Sequence, residues 1–149
     1  MLPNLKPSQR ASIVGAVNPQ SASSAQSSGW IDATKYHNFM AVIAVGVLGA
    51  SATVDGKVEQ ATDNSGTSAK DVSGKSITQL TKAGSDDNKQ ALVNLKQEDL
   101  DFANGFKFFR LTITPAVAAS LIAGAVFGFD PRYGAATDND ATTVDEVVG

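Results

Sequence analysis

Cysteine is absent from this 149-residue chain, histidine and tryptophan occur once each, and charged residues make up only 18%. Without thiols there is no disulfide framework, thiolate zinc site, iron–sulfur ligation or cysteine nucleophile. A single histidine, His37, excludes multi-histidine metal sites. No uninterrupted apolar run reaches the length of about 20 residues that a membrane-spanning helix needs. Phe39–Ala50 covers 12 residues, and Leu111–Phe129 is broken by Pro115, Thr112, Thr114 and Ser120. No secretory signal stands behind Lys6 and Arg10. The expectation is a soluble chain with no membrane contact. Cationic side chains are also in the minority, 12 against 15 acids, which argues against a nucleic-acid partner. Total charge lies below the roughly 25% usual for soluble domains, so partners are expected to cover much of the surface.

What is present divides into three parts. Residues 1–29 hold two cations, Lys6 and Arg10, no acid, and a Ser/Gln/Ala-rich stretch over residues 19–29. This reads as a flexible N-terminal arm with one apolar island, Ile13–Val17. Residues 30–129 carry nearly all the strand-like patterning, with nine basic and ten acidic side chains. Residues 130–149 hold five acids against Arg132 and read as an acidic C-terminal extension. By segment, the net charge of −3 is +2, −1 and −4.

The middle part reads as β structure. Asn38–Val47 is apolar on both faces, as in a strand buried on both sides or lying at an interface. Ala52–Ala61 alternates, with Ala52, Val54, Gly56 and Val58 on one side, although Asp55-Gly56 would also suit a tight hairpin. Residues 63–70 read as a polar loop, Ser76–Thr81 as a short strand and residues 83–88 as a second loop. Gln90–Leu95 is a further strand, with Ala91, Val93 and Leu95 facing one way. Gln97–Phe102 looks like one acidic helical turn closed by Asn104-Gly105. Phe106–Thr114 puts Phe109, Leu111 and Ile113 on one face and Phe108, Arg110 and Thr112 on the other. Ala118–Phe129 supplies a last apolar strand, with a bend expected at Gly124. About seven short strands separated by turn signals predict an all-β fold, an antiparallel β-sandwich or barrel.

The motifs with chemical content do not assemble into a catalytic set. Gly74-Lys75-Ser76 ends like a phosphate-binding loop, but the required earlier glycine is replaced by Ala69, and no helical pattern follows. His37 opens an apolar strand and has no positioned serine and acid for a triad. Asp86-Asp87-Asn88 and Asp138-Asn139-Asp140 suit turns and lack the spacing of a calcium loop. Glu98, Asp99 and Asp101 lie on one turn and project in different directions, unlike a glycosidase pair. Phe106–Arg110 has aromatics that would stack on bases, yet only two cations flank them in an acidic chain. No catalytic residue, metal ligand or cofactor is assigned, and the chain is expected not to be an enzyme.

Several segments together resemble a family of small tailed-bacteriophage virion proteins encoded beside the major capsid protein. They are Val47–Asp55 (VLGASATVD), Val58–Thr62 (VEQAT), Gly74–Lys82 (GKSITQLTK), Asp86–Gln90 (DDNKQ), Phe129–Gly134 (FDPRYG) and Thr143–Val148 (TVDEVV). The likeness covers residues 28–149 and contains no mechanistic motif. It implies a capsid decoration, or cement, protein with a jelly-roll sandwich, made in the host bacterial cytoplasm and carried on the head surface of the virion. Its partners would be the major capsid protein and copies of itself, as a dimer or trimer on the lattice. A connector or tail protein, and a surface module binding host glycan, are the competing expectations. The candidate contact residues are Ile13, Val14 and Val17 in the arm, Trp30 beside it, Phe106 and Phe108, Arg132 and Tyr133, and Val144 and Val147 in the extension. Strand addition by the arm and the extension to a neighbour's sheet is the expected mode.

Overall fold

The computed structural model describes residues 4–137, 139–140 and 142–149. After a short helix α1 (Pro7–Arg10) come ten strand segments: β1 (Ala11–Ala22), β2 (Gln26–Ser27), β3 (Ile31–Asp32), β4 (Tyr36–Val45), β5 (Thr53–Ala61), β6 (Lys70–Ser76), β7 (Leu80–Thr81), β8 (Gln90–Lys96), β9 (Phe108–Ala116) and β10 (Ser120–Pro131). Sheet A has the order β1-β10-β4-β8, and sheet B the order β2-β9-β5-β6, with β3 on β9 and β7 on β5. All pairings are antiparallel. Taking β2 with β3 and β6 with β7 as single interrupted strands leaves eight, ordered 1-8-3-6 in one sheet and 2-7-4-5 in the other. That connectivity is the double Greek key of a jelly roll. The expected all-β antiparallel sandwich is therefore what the chain forms.

Alternation makes the core. Along β4, Phe39, Ala41, Ile43 and Val45 are buried, and β9 answers from sheet B with Phe109, Leu111 and Ile113. Phe39 and Phe109 meet edge-to-face across the two sheets, centroids 4.6 Å apart, a geometry contributing about 1 kcal/mol beyond area burial. Asp55-Gly56 turns no hairpin; it lies inside β5, where a Cβ on Gly56 would stand 2.3 Å from Ile43 Cδ1. The alternating pattern thus prevails over the turn signal, and glycine is kept for close approach between sheets.

Two expectations need correction. Residues 11–22, read as part of a flexible arm, form β1 and pair with β10 from Ala11↔Phe129 to Ala22↔Ser120. The ladder uses backbone groups, which serine and glutamine possess as fully as valine does, so linker-like composition does not forbid a strand. Register shifts between Ile13 and Gly15 and between Val17 and Gln20 interrupt it, as suits an edge. The short strand expected over 76–81 is displaced: β6 ends at Ser76 and β7 holds only Leu80 and Thr81. Val72 is the one buried residue of β6, so this edge strand has no alternation to read. At Gly124, β10 keeps continuous register with β4 from Ile122 to Phe129, while its ladder with β1 shifts register beside it, between Val17 and Gln20. A Cβ there would press within 2.9 Å of Leu111 Cδ2.

Candidate interaction face

Cross-strand register decides which outward side chains of sheet A become neighbours. Ala16, Ala125, Val42 and Leu92 lie in one row across β1, β10, β4 and β8. The next row is Ile13, Phe127, Met40 and Asn94, and a third runs Ala11, Phe129, Asn38 and Lys96. On the other side, Ala123 pairs with Ala44 and Ala44 with Gln90. Small residues in the middle, with Met40 and Phe127 beside them, leave a shallow groove of about 330 Å³ lined by Ala16, Val42, Ala44, Ala123 and Ala125. Leu92 and Leu121, at 57% and 49% exposure, extend the apolar area beyond it. A contiguous apolar face of this kind on a small chain marks an interaction site more often than the scattered exposed leucine does.

The C-terminal segment lies over this groove. Asp140 donates its backbone N–H to Ile13 O (2.7 Å), while Ile13 N–H donates to Asn139 Oδ1 (3.0 Å). Both free backbone groups of Ile13 on the β1 edge are thereby satisfied, as by a one-residue added strand. Asp140 then closes a turn: its carboxylate accepts from Thr142 N (3.1 Å), Thr142 Oγ1 (2.6 Å) and Thr143 Oγ1 (3.0 Å). Its carbonyl accepts from Val144 N (2.8 Å). These hydroxyl and amide donors, the Thr142 hydroxyl foremost, hold the Asp140 carboxyl below its ordinary value against the opposing effect of burial. The turn delivers Thr143 and Val144 to the groove, and Lys6 Nζ donates to the terminal Gly149 oxygen.

The outward face of sheet B has the opposite chemistry. Arg110 Nε meets Glu59 Oε2 at 2.8 Å, and Thr112 Oγ1 donates to the same oxygen at 2.7 Å. Lys57 bridges Glu59 (3.4 Å) and Asp71 (2.7 Å), and Gln79 donates to Asp55. Burial raises the Glu59 pKa, but the hydrogen bonds from Thr112 and Arg110 and the charges of Arg110 and Lys57 outweigh it and hold the carboxyl below its usual range.

The expected contact residues are dispersed by the fold. Ile13 and Val144 are brought together at the groove, and Val14 packs partly against the core. Val17 and Phe106 are buried, so neither side chain is offered to a partner; Phe106 lies beneath Lys70 Nζ, 4.0 Å from its ring centroid. Phe108 is half-buried on the outer side of sheet B, opposite Ala61 and Asp32. Trp30 stacks under the Arg110 guanidinium at 4.5 Å. Arg132 donates to Gln97 Oε1, while Tyr133 and Val147 project into solvent. Sequence reasoning missed Met40, Val42, Ala44, Ala123, Ala125, Phe127 and Phe129. The two-faced apolarity of residues 38–47 was the signal for Met40, Val42 and Ala44.

No protein-family model matches the chain, and no curated protein matches it. Among solved structures the chain is similar to one in the structure of infectious bursal disease virus, Gx strain, at 10% sequence identity and a TM-score of 0.42. The alignment covers 85% of this chain and 33% of the other, so this chain spans about a third of the length of its match. The virus structure is thus a distant likeness, and no argument about function rests on it.

Proposed function

We propose that the chain is a structural protein of a virion, a capsid decoration protein that binds the outer surface of the major capsid protein lattice. The observation that carries this reading is the apolar outward face of sheet A, on a chain whose motifs assemble no catalytic set. Decoration works through many shallow contacts repeated over a lattice, each modest alone and additive through multivalency. A broad, shallow face rich in alanine suits that work better than a deep pocket, because small side chains let a second backbone approach closely. The resemblance of residues 28–149 to tailed-phage virion proteins points the same way, and jelly rolls recur in capsid subunits, although they also occur in lectins and cupins.

The test is electron microscopy of the particle that carries the chain, together with sedimentation of purified chain with expanded shells. Hundreds of copies on the head surface are expected, with Val42→Asp abolishing co-sedimentation while leaving the circular dichroism spectrum unchanged. Six or twelve copies at the neck would replace decoration with a connector role. Undiminished binding by V42D would remove the face from the interaction.

A further inference from the structure

We propose that β8 is the contact edge between two copies of this chain, which pair antiparallel about a twofold axis at Leu92 and join their A sheets into one. The four sheet margins are not alike. β1 is broken by two register shifts and is met at Ile13 by Asn139 and Asp140. β2 and β3 hold two residues each. The β6 ladder shifts register between Lys57 and Glu59 of β5, and β6 turns at Gly74, with a φ of +74°. β8 instead runs unbroken, its 7 residues paired with β4 from Asn38↔Lys96 to Ala44↔Gln90 without proline, glycine or bulge. A regular margin of that kind is a template for strand addition unless something covers it.

The open backbone groups follow from the ladder. Extending its register puts Val45 opposite Lys89, and Val45 N–H donates to Lys89 O at 3.0 Å. By the alternation of an antiparallel pair, the odd-numbered residues of β8 bond to β4 and the even-numbered ones turn outward along the margin. Lys96 obeys this: its N–H donates to Asp99 Oδ2 at 2.7 Å, and Asp99 also meets Lys75 of β6. Among the described residues, no hydrogen bond reaches the outward backbone groups of Gln90, Leu92 and Asn94.

These residues match themselves. In a twofold pair centred on Leu92, Leu92 faces Leu92 and Gln90 faces Asn94 of the second copy, each pair exchanging backbone N–H and C=O groups. The outward side chains suit the same register. Leu92, 57% exposed, meets its own copy at the axis, and the exposed amides of Gln90 and Asn94 meet on either side. Lys89 and Lys96 fall opposite Leu95 and Asn88, so like charges do not face each other. Centring on Val93 instead would pair Gln90 with Lys96, whose N–H is already taken, and would set Leu92 against Asn94. A foreign strand would satisfy the backbone equally, but a second copy supplies this side-chain order by construction. The row Ala16, Ala125, Val42, Leu92 then continues across the axis into its own image. The pairing goes beyond the decoration reading and does not rest on it.

Sedimentation equilibrium of the full chain over a wide concentration range tests this without any shell, so its failure would leave shell binding untouched. A monomer–dimer equilibrium is expected, with Leu92→Lys raising the dissociation constant about tenfold or more by setting two cations against each other at the axis. Asn94→Pro removes an N–H that β4 does not use and should have the same effect, which keeps the test open should Leu92→Lys disturb the circular dichroism spectrum. Because the chain has no cysteine, introduced thiols report the register. Leu92→Cys should oxidise to a linked homodimer, and Gln90→Cys should link to Asn94→Cys, since facing Cα atoms lie about 5.5 Å apart, within disulfide range. Asn94→Cys should not link to itself, its two copies being offset by about 13 Å along the strands. A chain that is monomeric at every concentration would overturn the pairing, as would a trimer, or a dimer that both folded variants leave intact. Self-linkage of Asn94→Cys as ready as its linkage to Gln90→Cys would reject the axis at Leu92 and the proposal with it.

Discussion

On sheet B, Arg110 faces Glu59 and Lys57 reaches Asp71, whereas the corresponding outward positions of sheet A hold Val42, Ala125, Ala44 and Phe127. Both sheets obey the same alternation and bury the same kind of inner residue, so the fold does not impose this difference. Outward positions of a sandwich are free to be polar, and on sheet B most of them are, with charges paired among themselves. Apolar residues at the equivalent places of sheet A add little to a core they do not enter. Under the proposed function they serve contact with a partner, and the C-terminal segment already covers part of the face within the chain itself. The comparison teaches that function is written where the fold is indifferent.

The comparison is broken most severely from inside. Leu111 is fully buried between the sheets, close against Gly124 of β10. Leu111→Ala should cost about 3 kcal/mol through lost transfer energy and a residual cavity. It should lower the urea midpoint without changing the slope, and it should loosen both outward faces together. Selective damage to one face would mean that the sheets are less coupled than their shared core implies.

Glu59→Gln acts on sheet B alone. Removing the charge from a half-buried network should cost about 2 kcal/mol at neutral pH, since Arg110 and Lys57 lose an ionic acceptor. The sign with pH follows from the lowered Glu59 carboxyl: its contribution is full above the ordinary glutamate value and is lost as pH falls through the folded value. Wild-type and variant stabilities should therefore converge in acid, as urea titrations at pH 7 and pH 3 would measure. A constant difference between them would assign the loss to packing. Closure of the C-terminal segment at Asn139 and Asp140, read by the reactivity of the thiol that Val42→Cys introduces, should not respond to Glu59→Gln.

Legibility followed the physical signal available to each element. Strands β5 and β9 were readable because apolar and polar positions alternate with β-branched and aromatic residues. Strand β6 was not, since Lys70–Ser76 contains the single apolar residue Val72 and is held by backbone pairing to β5. The serine-rich stretch before Trp30 misled for the same reason: composition describes side chains, and ladders are made by amides. At the site, Ile13 and Val144 were legible as apolar residues in otherwise polar segments. Val17 and Phe106 looked equivalent to them but turn inward, which a bulged strand and a turn decide locally. Residues 38–47 announced an apolar outer side. Which neighbours complete it is a matter of register between β1, β10, β4 and β8, whose paired residues lie far apart in the sequence.

The smallest expected effect on stability is the sharpest test of the comparison. Leu92 ends the row Ala16, Ala125, Val42 and is 57% exposed, so Leu92→Ser removes little buried area and should change unfolding free energy by no more than about 0.5 kcal/mol. On a face kept apolar for contact, the same change should weaken partner binding several-fold and reduce the fluorescence of a bound hydrophobic dye. A serine at this position on a face that were merely unselected would alter neither. Stability and binding are thus expected to part company on sheet A. On sheet B they are expected to move together, because there the outward residues bind one another.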